Sequence, residues 1–171
     1  MKRQFVKKQP RQSKPLVQDP AQARAYAFLL LKYRLRSENE LKARLKRKGY
    51  AEELAAQTVN FLKDRAFIDD RVFARGWVAS RLKRPLGKRK IKLELAQKGV
   101  ASDIVQEALG WATQDYSESQ TVAQLAKQRF SKLKGIEPLK AKARVYGYLI
   151  RRGFAPEAVS EAMRSLGKEI E

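Results

Sequence analysis

Side chains capable of covalent or metal chemistry are scarce in this sequence. The chain contains no His and no Cys, which excludes Ser-His and Cys-His nucleophiles and zinc sites of the usual ligand types. Gly87-Lys88 resembles the end of a phosphate-binding loop. Arg89 follows it instead of Ser or Thr, however, and Leu82 occupies the position of the required upstream glycine. We therefore predict that the protein is not an enzyme and uses no cofactor and no metal.

Asp69 and Asp70 are adjacent carboxylates and the remaining candidates for metal ligands. They stand directly before an amphipathic segment that carries Phe73 and Trp77, where a helix is expected to begin. An Asp at such a position accepts hydrogen bonds from the first free backbone N–H groups of the helix. Helix capping by Asp69 is therefore favoured over metal binding.

The chemistry that the sequence does offer is electrostatic. Lys and Arg number 38 against 18 Asp and Glu, a formal net charge of +20, and without His that charge hardly changes across physiological pH. Such an excess attracts nucleic acid, anionic membranes or acidic protein surfaces, and we favour nucleic acid or a nucleoprotein assembly. The longest apolar run, Ala25–Leu31, has seven residues, far fewer than the ~20 that span a bilayer. A cytoplasmic protein without membrane contact is expected.

Three glycines in similar settings reveal an internal repeat. Gly49, Gly99 and Gly153 are 50 and 54 residues apart, with apolar residues eight and four positions before each and one position after it. Five further positions recur at the spacings i, i+1, i+4, i+5 and i+8, which form one face of an α-helix. The positions around the glycines are Leu41, Leu45, Tyr50, Ile91, Leu95, Val100, Val145, Leu149 and Phe154, and the later helix face comprises Leu54, Ala55, Thr58, Val59, Leu62, Ile104, Val105, Ala108, Leu109, Ala112, Ala158, Val159, Ala162, Met163 and Leu166.

Each of these glycines predicts the end of one helix and a tight turn into the next. Glycine is common just beyond a helix C-terminus because it adopts positive φ without a Cβ clash. A further helix is expected before each pair, at about 21–36, 70–83 and 119–130. Ser37 with Glu40 predicts a capping box at the start of the first middle helix.

The sequence therefore predicts an all-α protein, an elongated tandem array of three three-helix repeats behind a flexible basic arm. The arm, residues 1–20, holds three prolines and six basic residues against one acid, a composition without a packed core. The repeats are expected at 21–68, 69–114 and 115–171. Because each repeat alone has only a small apolar face, neighbouring repeats are expected to pack end to end.

Positive charge recurs in blocks at corresponding places in the repeats. From Lys32 to Lys48 there are eight basic residues and two acids, and from Arg81 to Lys98 there are eight and one. One interpretation is a solvated surface that keeps Lys and Arg out of the core. The other, which the recurrence favours, is contact with the phosphates or carboxylates of an extended polyanion. The candidate binding residues are Arg44, Arg47, Lys48, Arg81, Lys83, Arg84, Lys88, Arg89, Lys90, Lys98, Arg144, Arg151 and Arg152.

Most aromatic residues are interpreted as core residues and not as base-stacking platforms, because they lie at helical spacings or beside repeat boundaries. Trp111 and Tyr26 are the candidates for greater exposure. The expected core aromatics are Phe61, Phe67, Phe73, Trp77 and Tyr148.

Three segments resemble signatures of the RecX family of bacterial regulatory proteins. FIDDRVFARGWVASR, at 67–81, is similar to the first signature of the family. GKRKIKLELAQKGV, at 87–100, is similar to the second, which usually reads Gly-Pro-x-Arg-Ile-x-x-Glu-Leu-x-x-Lys-Gly. SENELKARL, at 37–45, resembles the pattern Ser-x-x-Glu-Leu-x-x-Lys/Arg-Leu. The resemblance covers about residues 22 to 167. Lys88 stands where Pro is common, a departure that concerns only the local turn.

The resemblance implies an elongated, right-handed array of three-helix repeats that modulates the RecA recombinase. Members of the family insert into the helical groove of the active RecA filament on single-stranded DNA and bridge neighbouring protomers. They depress ATP hydrolysis, co-protease action and strand exchange, and some bind DNA directly. The implied partners are therefore the RecA filament, single-stranded DNA and, as a further candidate, double-stranded DNA. The free protein is expected to be a monomer.

Two other functions are compatible with the sequence. The helix–glycine–helix turns also suit a DNA- or RNA-binding protein of helix-turn-helix type without a dedicated protein partner. Such a protein would affect RecA only by competing for DNA, so that extra DNA would relieve the inhibition. A basic assembly protein of a ribonucleoprotein particle is the third interpretation, and it would copurify with RNA and leave RecA unaffected.

Overall fold

The described residues of the computed structural model, 18–112 and 116–168, are mainly helical. They contain nine helices and no strand, which confirms the predicted all-α fold. Most of the predicted basic arm, residues 1–20, lies outside the described residues, and the first helix begins at Pro20. The helices are α1 (Pro20–Tyr33), α2 (Glu38–Lys48), α3 (Glu52–Asp64), α4 (Asp70–Leu82), α5 (Lys88–Gln97), α6 (Ser102–Ala112), α7 (Glu118–Ser131), α8 (Pro138–Arg151) and α9 (Pro156–Lys168).

Side-chain caps fix the starts of several helices. The Asp19 carboxylate accepts a hydrogen bond from the Ala21 backbone N–H at 2.8 Å. The Ser37 hydroxyl accepts one from the Glu40 N–H at 3.1 Å. These bonds satisfy donors that have no partner within the helix. The predicted capping box at Ser37 is only half formed, because the Glu40 side chain bonds to Arg34 and Lys98 instead.

The predicted glycine turns after the middle helices α2, α5 and α8 are confirmed. Gly49, Gly99 and Gly153 have φ values of 107°, 73° and 82°. This left-handed conformation is costly for residues with a Cβ. It turns the chain into the third helix of each repeat. The three glycines therefore produce the same turn between the second and third helices of every repeat.

Each repeat has its own apolar core, to which all three of its helices contribute. The predicted apolar positions of the middle helices are fully buried, and the residues after the glycines are buried. In the third helices, all five predicted positions of α3 are buried, whereas Ile104, Ala112, Ala158 and Met163 are partly buried. The expected core periodicity is thus confirmed in its main positions.

The first junction, between repeats one and two, is polar. The Ser37 hydroxyl donates to the Lys98 carbonyl at 2.7 Å, and the Glu38 N–H donates to the Asp70 carboxylate at 2.9 Å. The Lys98 ammonium reaches Glu40 at 2.7 Å. The N-terminus of α2 therefore lies against the C-terminal end of α5.

The second junction, between repeats two and three, repeats this arrangement with backbone groups. The N–H groups of Gly87 and Arg89 donate to the carbonyls of Arg152 and Gly153 at 3.0 and 3.2 Å. The N-terminus of α5 thus lies against the C-terminal end of α8. The expected end-to-end packing is present, but the three apolar clusters stay separate. The reason is that the joined surfaces are helix ends, which carry unpaired N–H and C=O groups and few apolar side chains.

Candidate partner-binding surface

The two junctions join the middle helices α8, α5 and α2 end to end, and these helices carry most of the candidate basic residues. Their N–H and C=O ends face one another at each junction, an alignment in which the helix dipoles attract. The cations of the three helices therefore follow the length of the array. The structure separates them into side chains with partners inside the protein and side chains that face solvent.

Arg81 and Lys98 have partners inside repeat two. Arg81 Nε donates to Glu94 Oε2 at 2.6 Å, and Trp77 Nε1 donates to the same oxygen at 3.0 Å. The Arg81 guanidinium carbon and Lys98 Nζ lie 3.9 and 4.1 Å from the centre of the Trp77 ring, where a cation is attracted to the π-system. Both cations thus help to join α4 to α5, and their role in binding stays a prediction.

Arg152 also supports the structure. Its guanidinium donates to the carbonyls of Arg84 and Pro85 at 3.4 and 3.2 Å, across the second junction. It also lies 5.0 Å from the centre of the Tyr148 ring. Arg152 is nevertheless only half-buried, so part of its side chain remains accessible.

The connection between α4 and α5 and the first turn of α5 carry five of the candidate cations. Lys83, Arg84 and Arg89 are exposed, and Lys88 and Lys90 are half-buried. The chain before α5 is held by the backbone bonds of the second junction. These cations of the second basic block are therefore displayed from a backbone that the second junction holds.

A cleft at the second junction combines charge with apolar surface. Arg89, Lys90 and Arg151 line it together with Leu93 and Ile150, and its volume is about 440 Å³. Leu93 is 53% exposed, so apolar surface is accessible between the cations. Such a lining suits an anionic partner that also offers apolar groups.

The remaining candidates lie on α2 and α8. Arg47, Lys48, Arg144 and Arg151 are exposed, while Arg44 is half-buried. Arg44 and Arg47 lie three residues apart on one side of α2, and Lys48 lies in its last turn.

Two arginines that sequence reasoning did not select join this surface. Arg34 and Arg36 lie in the connection between α1 and α2 and line a cleft with Arg44 and Arg47. They belong to the basic block from Lys32 to Lys48, which was the available signal. The periodic positions of the middle helices do not single them out, because both residues precede α2.

The aromatic expectations are confirmed for Phe73, Trp77 and Trp111 but not for Tyr26, which is half-buried against the core of repeat one. Phe73 is buried and Trp77 packs against the core of repeat two, and Trp111 is 56% exposed. The expectation for Phe67 was wrong, because its side chain is 51% exposed. Phe67 stacks edge-on against Phe28, with ring centres 4.9 Å apart, so a local aromatic pair replaces core burial.

The adjacent carboxylates near residue 70 have structural partners. The predicted cap is confirmed, since Asp69 accepts hydrogen bonds from the N–H groups of Arg71 and Val72 at 2.6 and 3.4 Å. Asp70 is buried and accepts from Glu38 across the first junction. Burial raises the pKa of Asp70 above its ordinary value. Within the ranges that the structure describes, no group of three or more acidic residues is placed to hold a metal ion.

Comparison with protein families identifies the arrangement. Three family models match consecutive parts of the chain: the first three-helix domain of RecX at residues 23–62, the second at 69–109 and the third at 117–163. The chain belongs to the RecX family. None of the described helices is long and apolar enough to cross a membrane.

Relatives in sequence carry the same family name. The chain is 32% identical to the regulatory protein RecX of Chlorobium limicola over 146 residues, which are 85% of this chain and 89% of the relative. It is 35% identical to that of Chlorobium phaeobacteroides, over 85% of this chain and 93% of the relative. These relatives are named regulatory proteins.

A solved structure has the same fold. The crystal structure of RecX from Lactobacillus salivarius superposes with a TM-score of 0.73 at 21% sequence identity. The match covers 86% of this chain and 96% of that chain. The RecX array of three three-helix repeats is therefore shared at low sequence identity.

Proposed function

We propose that this RecX-family protein is a non-enzymatic regulator that binds the RecA filament on single-stranded DNA. It lies in the helical groove of the filament and lowers RecA ATP hydrolysis, co-protease action and strand exchange. It acts as a monomer in the cytoplasm, where RecA and its DNA are found. The binding energy comes from contacts of the exposed cations with protein carboxylates and DNA phosphates.

The observation that carries this proposal is the end-to-end alignment of α2, α5 and α8. It spreads exposed cations from Arg47 to Arg144 along a continuous scaffold. A polyanion with many evenly spaced charges gains from such a scaffold because each neutralised phosphate releases counterions. The family membership supports RecA as the protein component of that polyanion.

The first test is RecA ATP hydrolysis on excess single-stranded DNA, titrated with this protein. We expect hydrolysis to be inhibited when far less than one molecule of this protein is present per RecA protomer. The inhibition should persist when more DNA is added. Inhibition that disappears as DNA is added would instead indicate a general nucleic-acid binder that competes for DNA. Unchanged hydrolysis would contradict the proposal.

A charge-reversal variant tests the contact surface. The triple substitution Lys83→Glu, Arg84→Glu and Arg89→Glu removes exposed cations without touching the Arg81–Glu94 pair. We expect it to abolish inhibition at moderate salt. The matched control, Lys132→Glu, Lys134→Glu and Arg164→Glu, makes the same charge change at exposed positions of repeat three and should retain inhibition. Equal inhibition by both variants would show that Lys83, Arg84 and Arg89 do not contact the filament.

A further inference from the structure

A cleft on repeat one concentrates guanidinium groups. It lies between the α1–α2 connection and the outer face of α2, and its volume is about 450 Å³. Volumes of this size are ordinary for small-ligand sites, so the cleft has room for a phosphate with part of its sugar. The lining residues are Arg34, Arg36, Glu40, Ala43, Arg44 and Arg47.

Glu40, the carboxylate of this lining, is already fully engaged. Arg34 donates to both of its oxygens at 3.0 Å, and Lys98 donates at 2.7 Å. Burial by itself would raise the pKa of Glu40, but these hydrogen bonds and charges lower it to about 2. Glu40 is therefore ionised at neutral pH and is neutralised by two cations other than Arg36, Arg44 and Arg47.

The other guanidiniums retain unused donors. Arg44 Nε is buried and has no hydrogen-bond partner among the described residues. Arg36 donates from Nε to the Leu30 carbonyl at 3.3 Å, and its terminal nitrogens have no hydrogen-bond partner within the described part of the chain. A ligand in the cleft would meet the terminal nitrogens of Arg44, which lines the cleft, because Nε itself is buried.

We infer that this cleft binds a phosphate group of the single-stranded DNA backbone through Arg36, Arg44 and Arg47. Arg36 approaches from the connection, whereas Arg44 and Arg47 project from successive positions of one face of α2. Arginine forks bind phosphate oxygens through paired N–H donors, and backbone phosphates are the anionic groups that single-stranded DNA presents at each nucleotide. The inference rests on the proposed function only for the source of the phosphate.

The test measures binding of labelled oligo-dT to the full chain without RecA, across a range of salt concentrations. Arg44→Gln should weaken binding roughly tenfold and reduce the salt slope by about 0.7, the value for one lost phosphate contact on a single strand. Arg44→Lys, which keeps the charge and loses the fork, should recover only part of the affinity. Arg164→Gln removes the same charge from an exposed position of α9 and should lower the affinity far less.

The outcomes separate this inference from the proposed function. Normal oligo-dT affinity and slope in Arg44→Gln, with unchanged circular dichroism, would overturn the phosphate site even if RecA inhibition persists. Loss of DNA binding in that variant would support the site even if the wild-type protein failed to inhibit RecA. A parallel titration with ATP distinguishes the phosphate sources. Arginine-dependent ATP binding tighter than oligo-dT binding would overturn the assignment to DNA.

Discussion

Glu40 is the residue where the first junction and the arginine cleft meet. Its carboxylate accepts hydrogen bonds from Arg34 on one side and from Lys98 of the neighbouring repeat on the other. Burial opposes ionisation, but the two cations outweigh it and lower the pKa of Glu40 to about 2. One side chain therefore neutralises part of a strongly basic surface and connects two repeats.

Replacing Glu40 with Gln should reduce stability in a pH-dependent way. The folded-state pKa of about 2 lies below the ordinary value of 4.5, so the ionised group stabilises the fold above about pH 4.5. That contribution is lost as the pH falls towards about 2. Urea unfolding at pH 7 should show a loss of about 1–3 kcal/mol, and the difference from the wild type should shrink on acidification.

The control for this measurement is Glu161→Gln, which removes an exposed carboxylate of α9. Its effect on the free energy of unfolding should stay within about 0.5 kcal/mol at all pH values. A Glu40→Gln effect that is equally large at acidic and neutral pH would show that packing, and not charge, stabilises this position.

At the scale of the element, the glycine turns combine two physical demands. Gly153 has a φ of 82°, and a Cβ there would come within 2.4 Å of the Lys90 backbone nitrogen. Gly135 has a similar φ of 83°, but a Cβ there would meet no heavy atom within 4 Å. Comparing alanine substitutions at these two glycines separates the free-energy cost of a left-handed backbone from the cost of a steric clash between repeats.

Gly153→Ala should therefore destabilise the protein much more than Gly135→Ala. At Gly135 we expect only the conformational cost, about 1–2 kcal/mol. At Gly153 the clash with backbone atoms adds to it and forces the second junction apart.

Gly110 lies within α6 with open space around it, so Gly110→Ala should stabilise by about 0.5–1 kcal/mol. Thermal unfolding gives all three values, and equal losses at Gly135 and Gly153 would contradict the junction geometry.

At the scale of the whole molecule, the array consists of separate apolar cores joined by polar contacts. The second junction relies on backbone bonds and on the Arg152 guanidinium, whereas the first relies on Ser37, Asp70 and the Glu40–Lys98 ion pair. In such arrays the stability is approximately a sum of repeat and interface terms. Weakening a junction should therefore uncouple the unfolding of neighbouring repeats without disturbing the packing of either apolar core.

Ser37→Ala should separate the unfolding of repeat one from that of repeat two. Ser37 is fully buried, and its loss removes both a helix cap and the bond to Lys98, about 1–3 kcal/mol together. The two tryptophans of the chain, Trp77 and Trp111, both belong to repeat two. Their fluorescence should then report a transition at higher urea than circular dichroism, which detects all helices. Coincident transitions that shift together would show one cooperative unit.

The sequence by itself determined the repeat, the helix order and the family. Gly49, Gly99 and Gly153 marked the turns because positive φ is a local demand that a single residue type meets. The buried positions followed from the helical period, and Asp69 was recognisable as a cap because its partners are two and three residues away. All of these depend on contacts between near neighbours in the chain.

Only the tertiary structure decided which cations are held by contacts inside the protein and which face solvent. Lys98 reaches Glu40, 58 residues away, and Arg152 reaches carbonyls 67 and 68 residues away. The Arg34–Arg36 side of the cleft likewise forms only when the α1–α2 connection folds against α2. A lysine that bridges repeats and a lysine that faces solvent are alike in sequence, because the charge is local but its partner is set by the packing of distant segments.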